Sequence, residues 1–396
     1  MSRQLISRSP DLQRLRDEGY EIEVRSNHLL VKNVPYVNSH KQVQRGVLVT
    51  PLTLNGDRTA KPENHVMHFA GDDPCHHDGR PILGIQHGKQ RTPLGGNIVV
   101  DRSFSNKPEK GFNDYYEKVV NYATIISAEA RAIDPSATPQ TFVVEDSGTE
   151  SVFNYTDTAS SRAGIGAVSD KLRGHKIAIV GLGGTGAYIL DLVAKTPVAT
   201  IKLIDGDRYC QHNAFRAPGA PTLEELRNPP YKATYYRNIY SRMHKGIEAH
   251  SVYLDVASAT LIRDADFVFV CVDSAGARRT IINILHEYRK PFIDVGMGLE
   301  LIHEQSSLIG MVRLTLSTPD NRTSESRIPM TDNDIPNEYT QNIQTAALNS
   351  LNAALAVIKW QKVCGFFQDE ENEYNTTYSI NVNHLQSDDS QRIRNG

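Results

Sequence analysis

The sequence predicts an α/β protein in which a Rossmann-like, doubly wound and mostly parallel sheet follows a smaller N-terminal α+β domain. The chain has 396 residues, enough for two domains. Its composition changes over residues 134–165, where Pro, Thr, Ser, Asp and Gly are frequent. From Lys176 onward buried strands alternate with helices, which is typical of a parallel sheet. We therefore expect an N-terminal domain, a linker with a dimer arm, and a C-terminal domain at residues 1–140, 141–165 and 166–396.

Composition and charge disfavour several classes of protein. The net charge is −3 and the pI is about 6.5, which argues against a nucleic-acid or anionic-membrane partner. The four cysteines contain no CxxC pair, so a disulfide scaffold and a zinc ribbon are both disfavoured. No apolar signal-peptide core follows the N-terminus, and the longest apolar runs are shorter than a membrane span. We expect a cytoplasmic protein.

The N-terminal domain is predicted to consist of a helix, several strands and a second helix. Proline is tolerated in the first turn of a helix, so Ser9-Pro10 indicates a helix that runs through Asp17. Hydrophobic alternation predicts strands at Tyr20–Arg25, Leu29–Val37, Val43–Leu54 and His65–Ala70. A long loop rich in glycine and proline is expected at residues 71–96. Apolar residues at helical spacing then predict a helix over Asp114–Ile133.

The C-terminal domain reads as alternating strands and helices. Buried strands are predicted at Lys176–Val180, Ala199–Asp205, Ala265–Val272 and Pro291–Val295. Helices are predicted at Ala187–Lys195 and near residues 231–246 and 275–289. This order places helices on both faces of the sheet and brings the loops after the strands to one edge.

A glycine-rich turn between the first strand and helix of this domain carries the strongest functional signal. Gly181-Leu-Gly-Gly-Thr-Gly186 would let the backbone approach a phosphate, and the helix N-terminus supplies amide donors. Asp205 ends the next strand about 24 positions further on, a spacing that suits a carboxylate binding ribose hydroxyls. The sequence therefore predicts a nucleotide site. A glycine turn selected only for helix–strand packing is the alternative.

The residues after Asp205 indicate something other than a dehydrogenase. Asp207, an Asn-Ala-Phe-Arg segment at residues 213–216, Lys232 and the strand-ending Asp273 follow in order. As a set, these motifs resemble the ubiquitin-activating superfamily, which includes the ThiF, MoeB and HesA adenylyltransferases, in its bacterial ubiquitination-like branch. The resemblance covers about residues 160–365 and implies a ThiF-type adenylation domain at 166–396.

The resemblance also implies a role for each motif residue. ATP would be lined by Gly181, Gly183, Gly184 and Gly186. Asp205 would hold the ribose, with Asp207 in the same nucleotide-binding group. The phosphates would be held by Asn213, Arg216 and Lys232, and Asp273 would position Mg²⁺. These roles agree with the chemistry, because attack of a carboxylate on the α-phosphate brings two anions together and requires cations and amides to stabilise the charge.

Two departures from the family pattern affect what the chain can do. Ala217 follows Arg216, where the family often has glutamine. The crossover loop, expected at about residues 317–340, has no cysteine, although family members that form a thioester carry one there. Cys210, Cys271 and Cys364 read as packing residues. We therefore expect no thioester; an oxyester on Thr318 or Ser324 stays open, although an unactivated hydroxyl is a weak nucleophile.

Arg162 precedes the adenylation domain, where family homodimers send an arginine into the neighbouring subunit's phosphate site. The resemblance thus implies a homodimer in which Arg162 acts in catalysis with Arg216, Lys232 and Asp273. A solvated linker charge is the alternative for this residue.

The N-terminal segment from His65 to Ile85 resembles the core of a ubiquitin-conjugating enzyme, in which a strand is followed by the active-site cysteine. In that register Ile82 occupies the cysteine position, so the resemblance implies a catalytically inactive domain that binds a partner. A zinc site at residues 75–78 (Cys-His-His-Asp) and a simple polar loop are the alternatives.

Together these features predict ATP-dependent adenylation of the C-terminal carboxylate of a ubiquitin-like protein that ends in glycine. ATP would be split to AMP and pyrophosphate, with Mg²⁺, and the acyl group would pass to a conjugating enzyme. Adenylation of a sulfur-carrier protein, a peptide, another carboxylate or a tRNA base remains an alternative. A dehydrogenase and a non-catalytic nucleotide-binding scaffold are the others.

Overall fold

The computed structural model describes residues 2–144, 151–163, 165–330 and 343–388. The chain divides into two compact units. The first comprises Met1–Glu145 and Thr156–Ile165, and the second comprises Asp146–Tyr155 and Gly166–Gly396. Residues of the predicted linker, 141–165, are thus shared between the two units.

The helices of the described residues are α1 (Ser2–Arg8), α2 (Pro10–Asp17), α3 (Tyr115–Ile133), α4 (Thr158–Arg162), α5 (Gly166–Ser169), α6 (Gly184–Val193), α7 (Gln211–Ala214), α8 (Leu223–Arg227), α9 (Lys232–Tyr240), α10 (Ala275–Glu287) and α11 (Ala346–Val363). The strands of the first unit are β1 (Ile22–Arg25), β2 (His28–Val37), β3 (Val43–Pro51), β4 (Leu54–Asn55), β5 (Arg58–Thr59), β6 (Val66–Ala70), β7 (Gln86–Gly88), β8 (Thr92–Gly95), β9 (Ile98–Val100) and β10 (Arg102–Ser105). The strands of the second unit are β11 (Lys176–Val180), β12 (Thr200–Ile204), β13 (Ile247–His250), β14 (Phe267–Val270), β15 (Phe292–Ile302), β16 (Ser307–Ser317), β17 (Asn375–Ser379) and β18 (His384–Asp388).

The first unit is an antiparallel sheet with a long helix packed on one face. The sheet has the order β1-β2-β3-β6-β10-β7, and α3 packs mainly against β2 and β3. The Asp114 side chain caps α3 by accepting a hydrogen bond from the Glu117 backbone N–H, which satisfies one of the helix's free donors. Aromatic rings fill the core between sheet and helix, with Phe69, Phe104 and Tyr122 almost fully buried. The α+β expectation for this domain is confirmed.

The predicted long loop at residues 71–96 is partly wrong. It contains β7, which pairs with β10, and β8, which forms a hairpin with β9. The many glycines and prolines describe the turns, whereas strand pairing depends on partners that lie further along the chain. The zinc alternative at residues 75–78 finds no support. Within the described ranges, no group of three or more His, Cys, Asp or Glu residues is placed to hold a metal ion.

The second unit contains one eight-stranded sheet of order β13-β12-β11-β14-β15-β16-β17-β18. The first five strands are mutually parallel, and the last three pair antiparallel. The parallel part is a doubly wound arrangement, because the chain runs outward from β11 to β13 and then returns to β14 on the other side of β11. The prediction of a Rossmann-like, mostly parallel sheet is confirmed.

Helices cover both faces of this sheet. Ile177 and Ile179 of β11 belong to the core formed with α6, α9 and α11, whereas Ala178 and Val180 belong to the core formed with α10. This alternation follows from the period of two residues in a strand, and burial on both faces explains why β11 reads as a continuous apolar run. Among the described residues, no helix has the length and apolar character needed to cross a membrane.

Several predicted boundaries in the second unit are wrong, and the helix expected near residues 231–246 ends at Tyr240. The helix expected from Ala187 begins at Gly184, because part of the glycine turn already has helical geometry. The strand expected to end at Val295 continues to Ile302, where it forms a long hairpin with β16. Gly296 and Gly298 favour a loop when the sequence is considered alone. In the structure they belong to the strand, because eleven consecutive residues of β15 pair with β16.

Candidate active site

A cavity of about 740 Å³ opens at the carboxyl ends of the parallel strands. Its walls come from the turns after β11, β12 and β14 and extend to β15 and β16. The reversal of strand order lies between β11 and β14, and ligands of open α/β sheets bind in the crevice that such a reversal creates. Sequence positions far apart therefore meet at one place.

The glycine turn is shaped for close approach by a ligand. Gly181 has φ +91°, a left-handed conformation that side chains rarely adopt, and a Cβ here would lie 2.6 Å from the carbonyl oxygen of Cys271. Gly183 is the N-cap of α6, and a Cβ at Gly183 would meet nothing within 4 Å. Both glycines line the cavity. The N-terminus of α6 thus offers backbone N–H groups and the positive end of the helix dipole to an anion.

The other two glycines serve packing in different ways. Gly184 lines the cavity, and a Cβ there would lie 1.8 Å from the Asn349 Nδ2 atom of α11. Gly186 is buried and does not belong to the cavity lining; its Cβ would lie 1.9 Å from the carbonyl oxygen of Gly181. The expected role of Gly186 in lining ATP is therefore corrected to helix–turn packing, because its backbone touches the turn itself.

Two aspartates and a lysine form a connected group beside the glycine turn. Asp205 Oδ2 accepts a hydrogen bond from the Leu182 backbone N–H at 2.6 Å, and Oδ1 accepts one from the Asp207 backbone N–H at 2.8 Å. Burial raises the pKa of Asp205, although Lys232 and these two N–H groups oppose the shift. The Lys232 Nζ lies 2.8 Å from Asp207 Oδ2 and 3.9 Å from Asp205 Oδ2.

Tyr253 completes this group and was not found by the sequence analysis. Its hydroxyl donates a 2.5 Å hydrogen bond to Asp207 Oδ1, and a Cβ at Gly206 would lie 2.8 Å from its ring. Partial burial acts to raise the pKa of Asp207, but the hydrogen bonds from Lys232 and Tyr253 prevail and lower it. The Asp207 carboxylate is therefore fixed as an anion between a cation and a phenol.

Two side chains of the segment that follows β12 carry a donor without a partner. Among the described residues, Arg216 Nε and Asn213 Nδ2 are buried and have no hydrogen-bond partner. Asn213 Oδ1 accepts a hydrogen bond from the Cys210 backbone N–H at 2.9 Å, which orients the amide nitrogen the other way. Arg216 lines the cavity and Asn213 does not; the two are joined by a hydrogen bond from the Arg216 backbone N–H to the Asn213 carbonyl. Of the two residues predicted to hold phosphates, the structure therefore places Arg216 at the cavity and Asn213 behind its lining.

His212 also lines the cavity and was missed by the sequence analysis. Burial lowers its pKa first, and the charges of Arg216 and Lys232 lower it further. The smaller contributions of Arg216 and Lys232, which Asp207 opposes, show that both cations lie close enough to His212 to affect its pKa.

Asp273 lines the cavity just before α10, and a buried ionic network lies behind it. Asp294 is fully buried and accepts hydrogen bonds from Arg278 Nε at 2.9 Å and from an Arg313 Nη atom at 2.5 Å. Arg278 also donates to the carbonyl oxygens of Val272 and Pro329. Arg278 thereby supports the backbone that presents Asp273. The sequence signal that could have revealed it is a charged residue on the otherwise apolar face of α10.

Two asparagines of α11 contribute to the cavity wall. Asn349 donates to the Arg216 carbonyl at 3.0 Å and accepts from the Thr185 hydroxyl at 2.8 Å. Asn352 lies one turn further along the same buried face. Polar residues three positions apart on the apolar face of a helix are a signal that the sequence analysis overlooked.

The remaining predicted residues lie away from the described cavity or outside the described atoms. Arg162 ends α4, in the first unit, and its side chain lies outside the described part of the structure. Thr318 and Ser324 are described, and neither is among the cavity-lining residues; residues 331–340 of the expected crossover loop lie outside the described ranges. The oxyester alternative therefore gains no support from the described residues.

The cysteines are not placed as activated nucleophiles. Burial raises the pKa of Cys75 and of Cys271, the only one of the four in the described lining of the cavity. Burial also raises the pKa of Cys364 to about 11. A thiol with a raised pKa is a poor source of thiolate at neutral pH.

The residues present suit ATP with a bound Mg²⁺ ion. The glycine turn, Arg216 and Lys232 line the same cavity and together match a polyphosphate. Asp205 lines it too and accepts a hydrogen bond from Leu182 of the turn, at the chain spacing that suits a ribose-binding carboxylate. Asp273 also lines this cavity. Mg²⁺ in nucleotide sites is held by one or two carboxylates together with the substrate phosphates, so a single aspartate fits this mode of binding.

Comparison with known proteins agrees with this architecture. A model of a domain of unknown function (DUF6791) matches residues 10–158, and the model of the ThiF family matches residues 159–395. The comparison with curated proteins found no match. Among solved structures, PaaA shares 15% identity over 82% of this chain and 95% of that chain, with a TM-score of 0.47.

Two E. coli MccB structures are also similar to this chain. The complex with ATP shares 18% identity over 56% of this chain and 65% of that chain, with a TM-score of 0.40. The complex with AMPCPP and MccA shares 17% identity over 57% and 67%, with a TM-score of 0.42. This chain thus spans about two thirds of the length of the MccB chains, and the likeness carries no information about substrate. The ThiF model, in contrast, covers more than half of the chain, and the chain belongs to the ThiF family.

Proposed function

We propose that this protein is an ATP-dependent adenylyltransferase that activates the C-terminal carboxylate of a ubiquitin-like protein ending in glycine. The observation that carries the proposal is one cavity lined by the glycine turn at the N-terminus of α6, with free space at Gly183, and by the cations Arg216 and Lys232. The same cavity is lined by Asp273 and by residues of β15 and β16. A polyphosphate and an acceptor carboxylate can therefore meet at the middle of the cavity.

The residues would act chiefly by positioning and by charge stabilisation. The Asp205 carboxylate would accept ribose hydroxyls while Leu182 and Asp207 keep it oriented. Arg216 and Lys232 would stabilise the extra negative charge on the α-phosphate when the carboxylate oxygen attacks it and pyrophosphate leaves. Asp273 would hold Mg²⁺, which supplies positive charge to the leaving pyrophosphate.

The part of the cavity lined by β15 leaves room for an acyl substrate. Gly296, Met297 and Gly298 line it, and a Cβ at Gly298 would meet nothing within 4 Å. We propose that a flexible tail of small residues occupies this space. We further propose that the acyl group passes to a conjugating enzyme, because neither the crossover loop nor the cavity wall offers an activated thiol.

The first test is exchange of labelled pyrophosphate into ATP, which reports adenylation alone. Exchange should require Mg²⁺ and a ubiquitin-like protein with a free terminal glycine, and the same protein with a C-terminal carboxamide should be inactive. Arg216→Ala and Asp273→Ala should each reduce exchange by about 10²–10³. Wild-type exchange in both variants would remove the two residues from the reaction. Exchange with simple carboxylic acids alone would instead support a small-molecule adenylyltransferase.

A further inference from the structure

Tyr253 presents an exposed aromatic ring at the wall of the cavity. The residue follows β13, lines the cavity and is 68% exposed, so much of its surface is open to a ligand. Its neighbour Val252 also lines the cavity and is 43% exposed. Single exposed apolar side chains are common on protein surfaces. An exposed aromatic ring in the lining of a cavity is a different case, because a flat ligand in the cavity can cover it.

The ring is held in place before any ligand binds. Its hydroxyl donates a 2.5 Å hydrogen bond to Asp207 Oδ1. A Cβ at Gly206 would lie 2.8–2.9 Å from three carbons of the ring, so the ring rests directly against the Gly206 backbone. The Tyr253 carbonyl oxygen accepts a hydrogen bond from Ser258 Oγ at 3.0 Å. An aromatic side chain that is fixed in this way loses little conformational entropy when it binds a ligand.

The order of the strands indicates which part of a nucleotide reaches this ring. Because β11, β12 and β13 are adjacent and parallel, the glycine turn, Asp205 and the segment that contains Tyr253 leave the sheet at the same edge. Neighbouring strands lie about 4.8 Å apart, so the three segments follow one another in steps of roughly 5 Å. The Asp205 backbone N–H also bonds to the His250 carbonyl oxygen of β13, at 3.2 Å. Phosphate, ribose and base follow one another in the same order along a nucleotide.

The chemistry of this part of the wall suits a nucleobase. The hydrogen bond to Asp207 raises the pKa of Tyr253, so the phenol is neutral at physiological pH. A neutral aromatic side chain stacks on the flat face of any base. Val252 adds exposed apolar surface next to it. The two fused rings of a purine bury more of this surface than the single ring of a pyrimidine, and they should therefore bind more tightly.

We infer that the Tyr253 ring stacks on the adenine base of the bound nucleotide, which makes Tyr253 a specificity-determining residue for a purine nucleotide. The inference rests on the proposed binding of ATP and adds the side chain that recognises its base. Tyr253 bonds to Asp207, and Asp207 in turn pairs with Lys232 Nζ at 2.8 Å. One connected group of side chains would thus contact both the base and the phosphates.

The test compares ATP with ribose 5′-triphosphate, which lacks only the base. Titration calorimetry with Mg²⁺ present measures the affinity of both compounds for the wild type, Tyr253→Leu and Tyr253→Phe. Phenylalanine keeps the ring and removes the hydroxyl, whereas leucine removes both. Tyr155→Leu, the same change at an exposed tyrosine of the second unit outside the described cavity lining, is the matched control. Thermal melting of every variant confirms the fold.

Tyr253→Leu should bind ATP roughly tenfold more weakly than the wild type, the effect of losing one base–aromatic stack, and should bind ribose 5′-triphosphate as the wild type does. Tyr253→Phe and Tyr155→Leu should keep the wild-type ratio of the two affinities. Equal losses for both compounds in Tyr253→Leu, or no loss at all, would overturn the inference and leave ATP binding standing. Failure of the wild type to bind either compound would overturn the proposed function and this inference together.

Tyr253→Trp gives a second readout that does not depend on a loss of affinity. The single tryptophan of the chain, Trp360, is fully buried, so the introduced indole is the one that a ligand in the cavity can touch. ATP should quench the fluorescence of this variant, because stacking on a base quenches indole emission, and ribose 5′-triphosphate should leave it unchanged. Unchanged emission at a saturating concentration of ATP would show that the base does not stack at this position.

Discussion

Lys232 and Asp207 form an ion pair in which Nζ lies 2.8 Å from Oδ2, and the lysine is almost completely buried. Asp205 lies within 3.9 Å of the same Nζ atom. The lysine is therefore held over the glycine turn by two carboxylates before any phosphate arrives. Because Lys232 is already held in place, it loses less conformational entropy when a phosphate binds to it. The two carboxylates, however, compete with the phosphate for the ammonium group.

We predict that Lys232→Met weakens ATP binding by tenfold or more, because a charge-assisted hydrogen bond contributes about 1.5–3 kcal/mol. The loss also leaves Asp205 and Asp207 facing the phosphates without a cation between them. Lys195→Met is the control, since Lys195 is an exposed residue just after α6 that pairs with Asp191, and its removal changes the net charge equally. Titration calorimetry at one ionic strength measures both. Equal affinities of Lys232→Met and the wild type would exclude Lys232 from phosphate binding.

A pair of glycine substitutions separates ligand contact from packing. Gly183→Ala should fold normally, because its Cβ meets nothing within 4 Å, and should lose ATP affinity through the methyl group at the turn. Gly186→Ala should lower the thermal transition of the second unit, because its Cβ would lie 1.9 Å from the Gly181 carbonyl oxygen. Calorimetric melting and ATP titration of both variants give the comparison. A destabilised Gly183→Ala with normal ATP affinity would reverse the two assignments.

Lys118 should make the stability of the first unit depend on pH in the alkaline range. It is 1% exposed, its Nζ donates to Thr50 Oγ1 and to the Asn64 carbonyl, and burial lowers its pKa from 10.5 to about 8. Between pH 8 and 10.5 the unfolded chain binds the proton that the folded chain releases, so this group makes the free energy of unfolding rise with pH. That contribution is fully present above the unfolded pKa and is lost as the pH falls to about 8.

Urea denaturation of the wild type and Lys118→Met across pH 7.5 to 10.5 measures this effect. In Lys118→Met, the slope of the free energy of unfolding against pH should be smaller than in the wild type by up to about 1.4 kcal/mol per pH unit. This difference in slope does not depend on the absolute stability of the variant. Lys110→Met, at an exposed position of the same unit, should keep the wild-type slope. Identical slopes in all three proteins would show that Lys118 titrates normally.

A cysteine-free variant should keep the proposed activity. With Cys75, Cys210, Cys271 and Cys364 all replaced by alanine or valine, pyrophosphate exchange should persist, because burial raises the pKa of Cys75, Cys271 and Cys364 and because Cys210 is not among the described cavity-lining residues. Wild-type protein incubated with ATP and a ubiquitin-like protein should form no thiol-sensitive adduct. An adduct that the wild type forms and the folded cysteine-free variant lacks would establish a thioester.

The proposed homodimer makes a prediction about mixed subunits. If Arg162 enters the partner's phosphate site, a hybrid of Arg162→Ala and Asp273→Ala subunits contains one intact site of two. An equal mixture of the two inactive proteins should then recover about a quarter of the wild-type exchange rate, since half of the dimers are hybrids. Analytical ultracentrifugation establishes the mass. A monomeric mass together with no recovered exchange activity in the mixture would indicate that Arg162 is a solvated charge of the linker.

Local spacing was sufficient to determine the class of the fold and one half of the site. The apolar run at Lys176–Val180, the glycines after it and Asp205 at the end of the next strand are consecutive features of one strand–turn–helix–strand unit. Their geometry follows from backbone preferences and from the short connection between them, so the sequence alone identifies them. Arg216 and Asp273 were instead assigned through the resemblance to the adenylyltransferase superfamily, whose motifs they match.

The other half of the site was decided only by tertiary structure. Asn349 and Asn352 reach the cavity because α11 packs on the same face of the sheet as α6, and Asp294 joins Arg278 to Arg313 because β15 and β16 form one long hairpin. The packing role of Gly186 likewise depends on how closely the helix returns to the turn. Such contacts join residues far apart in the chain, and their existence depends on register and packing, which no local pattern of residues encodes.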